Sequence, residues 1–264
     1  MIIDFHKPNH AQLSKDHFLV DMHLHTKYSM DCATKPDLVY KMAKKNGIGI
    51  AVTDHNEIRG VKALSLHKDI TVIPGIEVTS KEIKDILLYF DTIRGLEEFY
   101  DQVIKPHKTR LKRIRMNKVA LPMSAIIEKA DAYNATIAIP HPFALGKSSY
   151  PFFNESGHHH LFKRIDAIEV ANGTMGRKEN LASYGWAHLL GKPAIGGSDS
   201  HVYMMIGGIV TANYGHSPTT FLEQVRNGNS KVFGLEHRKS VKFVSSMAIL
   251  KNKLLKNKKV RDSR

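Results

Sequence analysis

The chain alternates short apolar runs with longer amphipathic runs, and this pattern restricts its fold more than any other feature. Seven apolar runs have the length of buried strands: Phe18–Met22, Ile48–Thr53, Thr71–Val78, Ile83–Phe90, Thr136–Pro140, Ala167–Val170 and Ala194–Gly197. Five segments with helical spacing lie between them: Lys35–Asn46, Glu57–Lys68, Leu96–Arg115, Pro122–Tyr133 and Lys178–Leu190. Such alternation indicates a parallel sheet with crossover helices. Seven strands favour a closed or nearly closed α/β barrel in one domain.

The length of the chain fits one barrel with a short extension. A chain of 264 residues can bury one substantial core. We expect the barrel in residues 1–235 and a basic extension in residues 236–264, which ends in the lysine-rich segment Lys251–Arg264. The sequence leaves open whether this tail contacts substrate, a partner or only water.

Metal-binding residue types follow five of the seven predicted strands. They are His23 with His25, Asp54 with His55, Glu77, His141, and Asp199 with His201. Because the carboxyl ends of barrel strands meet at one mouth, we expect these side chains to converge. Residues i and i+2 of a strand point the same way, so His23 and His25 can both face inward. The spacing therefore predicts a metal site rather than isolated core histidines.

The types of ligand restrict the metal. Imidazoles and carboxylates without thiolates favour Zn, Mn or Fe(II). The number of ligands predicts two or three divalent ions, and a bridging carboxylate can hold two ions about 3.5–4 Å apart. The only cysteine, Cys32, excludes an internal disulfide, so a reducing, cytoplasmic location is expected. The longest apolar runs are strand-sized, which predicts no membrane association.

The same segments resemble the motifs of the PHP (polymerase and histidinol phosphatase) family. VDMHLHTKYSMD, AVTDHNEIRG, GIEVTS, IPHPF and GGSDSH occur in the family's order, roughly from Val20 to Gly208. The resemblance implies a distorted (β/α)7 TIM-like barrel with a trinuclear metal site. It implies one ion on His23, His25, Glu77 and Asp199, a second on Glu77 and His141, and a third on Asp31, His55 and His201.

One position departs from the family pattern. Family members commonly carry a histidine in a segment like HILGYF, whereas this chain has Asp85 in DILLYF. An aspartate can still bind a hard or borderline cation. We therefore retain Asp85 as a candidate ligand, with a weaker or different second metal site as its consequence.

The ligand set predicts hydrolysis of phosphate esters. A hydroxide held between metal ions would attack phosphorus in line, and the ions would neutralise charge on the phosphoryl oxygens. Asp199 and His201 are the first candidates for catalytic residues. Asp54 is another, either in proton transfer or in orienting His55.

The charge of the chain favours an anionic substrate. The net charge is +14 and the sequence pI is about 9.7. Candidate substrate-binding residues follow predicted strands: Arg59, Lys147, Asn172, Arg177 and Lys178. The basic stretch Thr109–Lys118 could clamp a phosphate chain or form one face of a solvated helix.

Three functions compete at this stage. The first is a phosphatase or exonuclease acting on nucleotides or short oligonucleotides, towards which the charge leans. The second is a small-metabolite phosphatase, such as a histidinol-phosphate phosphatase. The third is a non-catalytic nucleic-acid-binding scaffold, which the nearly complete ligand set disfavours because buried polar groups are costly to keep without a role.

Overall fold

The structure is a computed structural model that describes residues 2–111, 116–155 and 157–237, with Val244, Ser246, Met247, Ile249 and Leu250. The strands are β1 (Ile2–Asp4), β2 (Phe18–Leu24), β3 (Gly49–Val52), β4 (Val72–Thr79), β5 (Asp85–Tyr89), β6 (Lys108–Leu111), β7 (Met116–Val119), β8 (Thr136–Ile139), β9 (Ala167–Asn172), β10 (Ala194–Gly197), β11 (Ile209–Asn213) and β12 (Lys231–Gly234). The helices are α1 (His10–Leu13), α2 (Pro36–Asn46), α3 (Arg59–Leu64), α4 (Ile93–Phe99), α5 (Met123–Ala132), α6 (Tyr150–Glu155), α7 (Arg177–Leu189) and α8 (Pro218–Arg226).

Ten strands form one curled sheet in the order β1-β12-β11-β2-β3-β4-β5-β8-β9-β10. The far end of this sheet returns to β2, because Asp199 N donates to His23 O at 2.7 Å and His25 N donates to Ser200 O at 3.1 Å. Gly197 permits this approach, since a Cβ at this position would collide with the backbone of His23. The predicted α/β class is confirmed as a distorted, barrel-like sheet surrounded by helices.

The core has an inner and an outer part. Buried residues from seven strands and α8 form the inner cluster, and Tyr89 reaches across it to donate a hydrogen bond to Met22 O at 2.7 Å. A larger cluster packs the helices against the outer face of the sheet. A side chain of β2–β5 or β8–β10 therefore faces either the barrel interior or the helix layer.

Each of the seven predicted strands corresponds to one observed strand, but the prediction of a wholly parallel barrel was wrong at β5. This strand runs antiparallel to both β4 and β8. Residues 80–84 are too few for a crossover helix, so β4 and β5 can be joined only as a hairpin. The direction of β5 brings its first residue, Asp85, to the mouth where the parallel strands end.

The predicted helix Leu96–Arg115 was wrong in its second half. Helix α4 continues as a π-helical turn, Tyr100–Ile104, and a 3-10 turn, Lys105–His107, after which β6 and β7 pair antiparallel. Pro106 lacks a backbone N–H and disfavours helix in the preceding residue, which explains the end of the helical segment here. The described parts of the basic stretch, residues 109–111 and 116–118, are thus paired strands of a β-hairpin rather than a helix face, and residues 112–115 lie outside the described part.

Candidate metal centre

The end of β2 carries two predicted ligands, and an irregularity there turns both to the mouth. Met22 packs in the inner cluster, whereas Leu24 packs in the outer one. The switch is possible because the pairing of β2 with β3 shifts register between Asp21 and Leu24. His23 and His25 are consequently buried at the top of the barrel interior.

The carboxylate of Glu77, near the end of β4, lies in the middle of the predicted ligands. Its Oε2 lies 3.5 Å from His23 Nε2, 3.4 Å from His25 Nε2 and 3.0 Å from His55 Nδ1, and its Oε1 lies 3.1 Å from His141 Nε2. One carboxylate therefore faces four imidazoles, as a ligand shared between ions would.

Two further carboxylates complete the cluster. Asp199 Oδ1 lies 3.2 Å from His25 Nε2 and 3.6 Å from His23 Nε2. Asp31 Oδ2 lies 3.5 Å from His55 Nε2 and 3.4 Å from His201 Nε2. The predicted residues thus lie together in one cluster, with Asp199 on the His23 side and Asp31 on the His201 side, while their division among ions stays a prediction.

Several polar atoms of this cluster lie close together without forming hydrogen bonds, as expected for ligands of a metal ion. Glu77 Oε2 is buried and makes no hydrogen bond, although three imidazole nitrogens lie within 3.5 Å of it. His23 Nε2, His55 Nδ1 and His141 Nδ1 are also buried without a hydrogen-bond partner. Buried polar groups are normally hydrogen-bonded, so close donors and acceptors in non-bonding orientations indicate lone pairs directed at a common ion. Among the described residues, groups able to hold one include His23, His25 and Glu77, and His23, His141 and Asp199.

The electrostatics of the site keep its carboxylates ionised. Burial alone would raise the pKa of Glu77, but the imidazoles of His55 and His23 hold it well below its usual value. Burial and the adjacent His201 lower the pKa of His25 to about 4, so this imidazole is neutral and its lone pair is available. Burial opposes the charged form of His55, yet Glu77 and Asp31 raise its pKa to about 9. A divalent ion would replace the proton that His55 holds near neutral pH.

Two ligand positions have strained backbones. His141 has φ 31° and Asp199 has φ 48°, in the region that favours glycine. Each such residue costs about 1–3 kcal/mol, a cost that is characteristic of functional positions. Both residues follow the last residue of a strand by two positions, so the strain accompanies the turn that directs their side chains to the mouth.

Comparison with protein families identifies the chain. The sequence profile described as the PHP domain matches residues 21–257. The chain belongs to the PHP domain family. Its clustered imidazoles and carboxylates are able to hold metal ions. A comparison with curated protein sequences finds no match.

Three solved structures have a similar fold. A two-domain protein from Bacteroides vulgatus that contains a predicted PHP-like metal-dependent phosphoesterase is 15% identical, with a TM-score of 0.62 over 89% of this chain and 68% of that one. PsfC from Pseudomonas syringae is 15% identical, with a TM-score of 0.62 over 92% of this chain and 99% of that one. The lesion-specific endonuclease PfuEndoQ from Pyrococcus furiosus is 20% identical, with a TM-score of 0.64, and this chain covers 57% of it. At these identities the likeness concerns the fold.

Residues that support the PHP centre escaped the sequence analysis. Glu169 of β9 is buried; its Oε1 pairs with His23 Nδ1 at 3.0 Å, and its Oε2 accepts from His141 N at 2.7 Å. Thr174 donates to Asp199 Oδ2 at 2.9 Å. Asn172, predicted as substrate-binding, donates to Asp199 Oδ2 at 3.2 Å and to Glu169 Oε2 at 2.9 Å. The detectable signal was a charged residue inside the apolar run AIEVAN.

Asp54 lies behind the centre. Its carboxylate accepts from Thr26 N and from Thr26 Oγ1, both at 2.6 Å, and it is buried. Burial raises the pKa of Asp54 to about 6. These bonds connect the residue after His25 to the residue before His55, so the contacts of Asp54 are with backbone and hydroxyl groups that hold the two ligand segments together.

Asp85 is present at the mouth but is already engaged. Its Oδ1 accepts from Thr79 Oγ1 at 2.6 Å, and its Oδ2 lies 3.9 Å from Lys147 Nζ. His55, Glu77 and Asp85 could together hold an ion. The carboxylate therefore has a hydroxyl and an ammonium close to it, unlike the unpartnered atoms of Glu77 and His23.

A cavity of about 620 Å³ opens above the centre. Its lining includes Asp31, His55, Glu77, His141, Asp199 and His201, together with Ala144, Leu145, Lys147, Thr174, Met175, Gly176, Glu179, Met205, Ser246 and Ile249. Of the five predicted substrate-binding residues, only Lys147 is among the described residues that line this cavity. The site therefore combines ionic ligands at its floor with walls that carry both apolar and polar side chains.

The other cationic candidates lie elsewhere. Arg59 Nη2 donates to Glu57 at 2.8 Å, and its guanidinium lies 4.9 Å from the ring centre of Tyr28. Arg177 Nε donates to Glu236 at 3.1 Å, and its guanidinium lies over Phe5. Lys178 is exposed on α7. In these conformations Arg59 and Arg177 serve surface ion pairs.

Two further features bear on the predictions from sequence. No helix in the described part of the chain is long and apolar enough to span a membrane. The segment Lys251–Arg264 lies outside the described residues.

Proposed function

We propose that this PHP chain hydrolyses phosphate esters of nucleotides or short oligonucleotides. The observation that carries the proposal is the Glu77 carboxylate, which is surrounded by imidazoles yet has an oxygen without a hydrogen bond. Such a carboxylate is suited to bridging two ions at the floor of a cavity of about 620 Å³. A cavity of this size is within the range for small-molecule sites.

We assign the ligands to three groups. His23, His25, Glu77 and Asp199 would hold one ion, Glu77 and His141 a second, and Asp31, His55 and His201 a third, with Asp85 as a candidate for the second. When bound, divalent ions supply an activated water and neutralise charge on phosphoryl oxygens. Zn, Mn and Fe all suit these ligands.

The remaining polar residues orient the metal ligands or neutralise charge on the substrate. Lys147 Nζ is the cation nearest the carboxylates and is suited to contact a phosphoryl oxygen. Asn172 and Thr174 fix the outer oxygen of Asp199. His201 Nδ1 lies 3.0 Å from the carbonyl oxygen of Asp199, which orients the ring so that Nε2 faces Asp31, either as a ligand of the third ion or, without that ion, as a site of proton exchange. Asp54 holds Thr26 and thereby the His25 segment.

The preference for nucleotides has two supports. The net charge of +14 favours polyanionic substrates. PfuEndoQ, which has the same fold, is by its name a lesion-specific endonuclease. We also propose that the catalytic unit is residues 1–235. The family match to residue 257 passes this boundary, so truncation after residue 235 is the test of that assignment.

Phosphate release by protein reconstituted with Mn²⁺ or Zn²⁺ tests the proposal. The substrates are mononucleotides, a 3′,5′-bisphosphate, a short RNA, histidinol phosphate and an aryl phosphate. Asp199→Asn is the inactive control, because it keeps the side-chain shape but removes a charge from the centre. Turnover of nucleotides or RNA supports the proposal. Selective turnover of histidinol phosphate indicates a small-metabolite phosphatase, and metal binding without any turnover indicates a scaffold.

A further inference from the structure

The turn between β4 and β5 forms one rim of the mouth and presents lysines. Because β4 ends beside Glu77 and β5 begins with Asp85, residues 80–84 must lie at the mouth. Lys81 N donates to Leu121 O at 2.8 Å, and Ser80 N donates to Lys84 O at 2.8 Å. The turn is therefore fixed to the chain that follows β7.

Two lysine ammonium groups on this rim are held in place by backbone carbonyls. Lys84 Nζ donates to Ser148 O at 2.5 Å, and Lys118 Nζ, on β7, donates to Lys81 O at 2.9 Å. Among the described residues, no carboxylate oxygen lies within 4.0 Å of Lys81, Lys84 or Lys118. Glu82, the acidic residue of the turn, accepts instead from Met123 N at the start of α5. These cations are thus positioned without an acid to neutralise them.

Hydrogen bonds and chain neighbours link these lysines to the cavity. Ser148, which binds Lys84, directly follows Lys147, and Lys147 lines the cavity above the metal centre. At the other end, Lys118 connects the turn to the β6–β7 hairpin. We call Lys81, Lys84, Lys118 and Lys147 the lysine rim. It leads from the hairpin to the metal centre.

Apolar side chains lie on both sides of this rim. Ile83, between Lys81 and Lys84, is 39% exposed and has φ 61°. Leu145, near Lys147, is fully exposed and lines the cavity. A ligand that contacts alternating charged and apolar groups must offer both phosphates and apolar faces. Single-stranded nucleic acid offers both, whereas inorganic polyphosphate offers only charge.

We propose that the lysine rim binds the backbone of a single-stranded nucleic acid and leads its terminal or scissile phosphate to the metal centre. The inference deepens the proposed function and rests on it, since it names an oligonucleotide rather than a mononucleotide as the substrate class. Contacts to several phosphates beyond the reacting one provide affinity without changing the chemistry at the centre.

The binding test uses the full chain carrying Asp199→Asn, so that the probe is not cleaved. Fluorescence anisotropy measures its affinity for labelled RNA and DNA of about twelve nucleotides, a length within the usual site sizes, over a range of salt concentrations. The test variant adds Lys81→Gln, Lys84→Gln and Lys118→Gln. The matched control adds Lys15→Gln, Lys129→Gln and Lys163→Gln, three exposed lysines that also lack an ion-pair partner among the described residues.

We expect the rim variant to bind at least about tenfold more weakly. The negative slope of log K against log salt should become shallower by about two, because each of the three lost phosphate contacts on a single strand removes roughly 0.7 from its magnitude. The control should match the parent in both quantities. Equal affinity and equal slope for the rim and control variants would overturn the inference. Binding of only RNA or only DNA supports it and tells which nucleic acid is preferred.

Turnover of the aryl phosphate separates this inference from the proposed function. With Asp199 intact, the rim variant should hydrolyse the aryl phosphate like the wild type but lose oligonucleotide turnover. Absence of turnover of the aryl phosphate, the nucleotides and the RNA in the wild type counts against the proposed function, whereas the anisotropy result still tests the lysine rim. If the rim variant loses aryl phosphate turnover, a second variant with Lys81→Arg, Lys84→Arg and Lys118→Arg is tested for nucleic-acid binding. Restored binding supports the charge role, and unrestored binding contradicts it.

Discussion

Glu169→Gln is the perturbation that best tests how the centre is held. Glu169 pairs with His23 Nδ1 through one oxygen and accepts from His141 N and Asn172 Nδ2 through the other. With the amide oxygen towards His23, the new NH₂ faces two donors and leaves both without an acceptor. With the amide reversed, the NH₂ faces His23 Nδ1 and forces the proton onto Nε2, the atom directed at Glu77.

Either orientation has a measurable cost. Two buried donors without acceptors cost about 2–6 kcal/mol of unfolding free energy, at roughly 1–3 kcal/mol per unsatisfied group. A proton on Nε2 removes a ligand lone pair, and loss of such a supporting contact typically lowers metal affinity about 10–100-fold. We therefore expect Glu169→Gln to lose stability, metal affinity or both, depending on which orientation prevails.

The assay is chelator competition for Zn²⁺ or Mn²⁺, combined with thermal unfolding of the metal-free protein. Glu179→Gln is the matched control, because Glu179 also lines the cavity and the substitution removes the same charge, while among the described residues no hydrogen bond or ion pair joins its carboxylate to a candidate ligand. If Glu169→Gln binds metal within about twofold of the wild type and unfolds at the same temperature, the account of how His23 is oriented is wrong.

Three further predictions follow from the geometry. Metal affinity should rise as pH rises from 6.5 to about 9, because the ion displaces the proton of His55, whose pKa is raised. Over the same interval the metal-free protein should lose the folding stability that this raised pKa contributes. Calorimetry in two buffers measures the protons released on metal binding, and a release of no protons would contradict the prediction. Gly197→Ala should destabilise the protein by about 3 kcal/mol or more in denaturant unfolding, whereas Gly185→Ala, with open space around it, should be neutral or stabilising; equal effects would refute the close approach of β10 to β2. In elemental analysis, His141→Ala should lose about one bound ion per chain, whereas Asp85→Asn should keep it, because Thr79 and Lys147 already contact the Asp85 carboxylate. Equal losses in the two variants would show that Asp85 is a metal ligand like His141.

The order of strands and ligands could be predicted because each relies on local patterns. Buried strands appear as apolar runs, and residues after parallel strands meet at one mouth, so His23, Glu77 and Asp199 could be expected to converge, although their assignment to one ion came from the family resemblance. The antiparallel direction of β5 was missed, even though the residues between the two predicted strands are too few for a crossover.

Other features depend on contacts that a sequence does not display. Glu169 and Asn172 became visible as supports only when β9 was placed beside β10 and their partners could be measured. Arg59 and Arg177 follow strands like Lys147, but Arg59 pairs with Glu57, two residues before it, and Arg177 pairs with the distant Glu236, and neither lines the cavity. The basic hairpin was predicted as helix because its Lys and Arg content suits both structures.

The most direct test of the account is phosphate release measured together with metal content for the same preparations. Wild-type protein reconstituted with Mn²⁺ or Zn²⁺ should retain at least two ions per chain and release phosphate from nucleotides or short RNA, in line with a shared carboxylate. Asp199→Asn should lose most turnover while keeping its fold. A wild-type protein that binds no divalent ion, or an Asp199→Asn variant with undiminished turnover, would contradict the central claim that the Glu77 cluster is a catalytic metal centre.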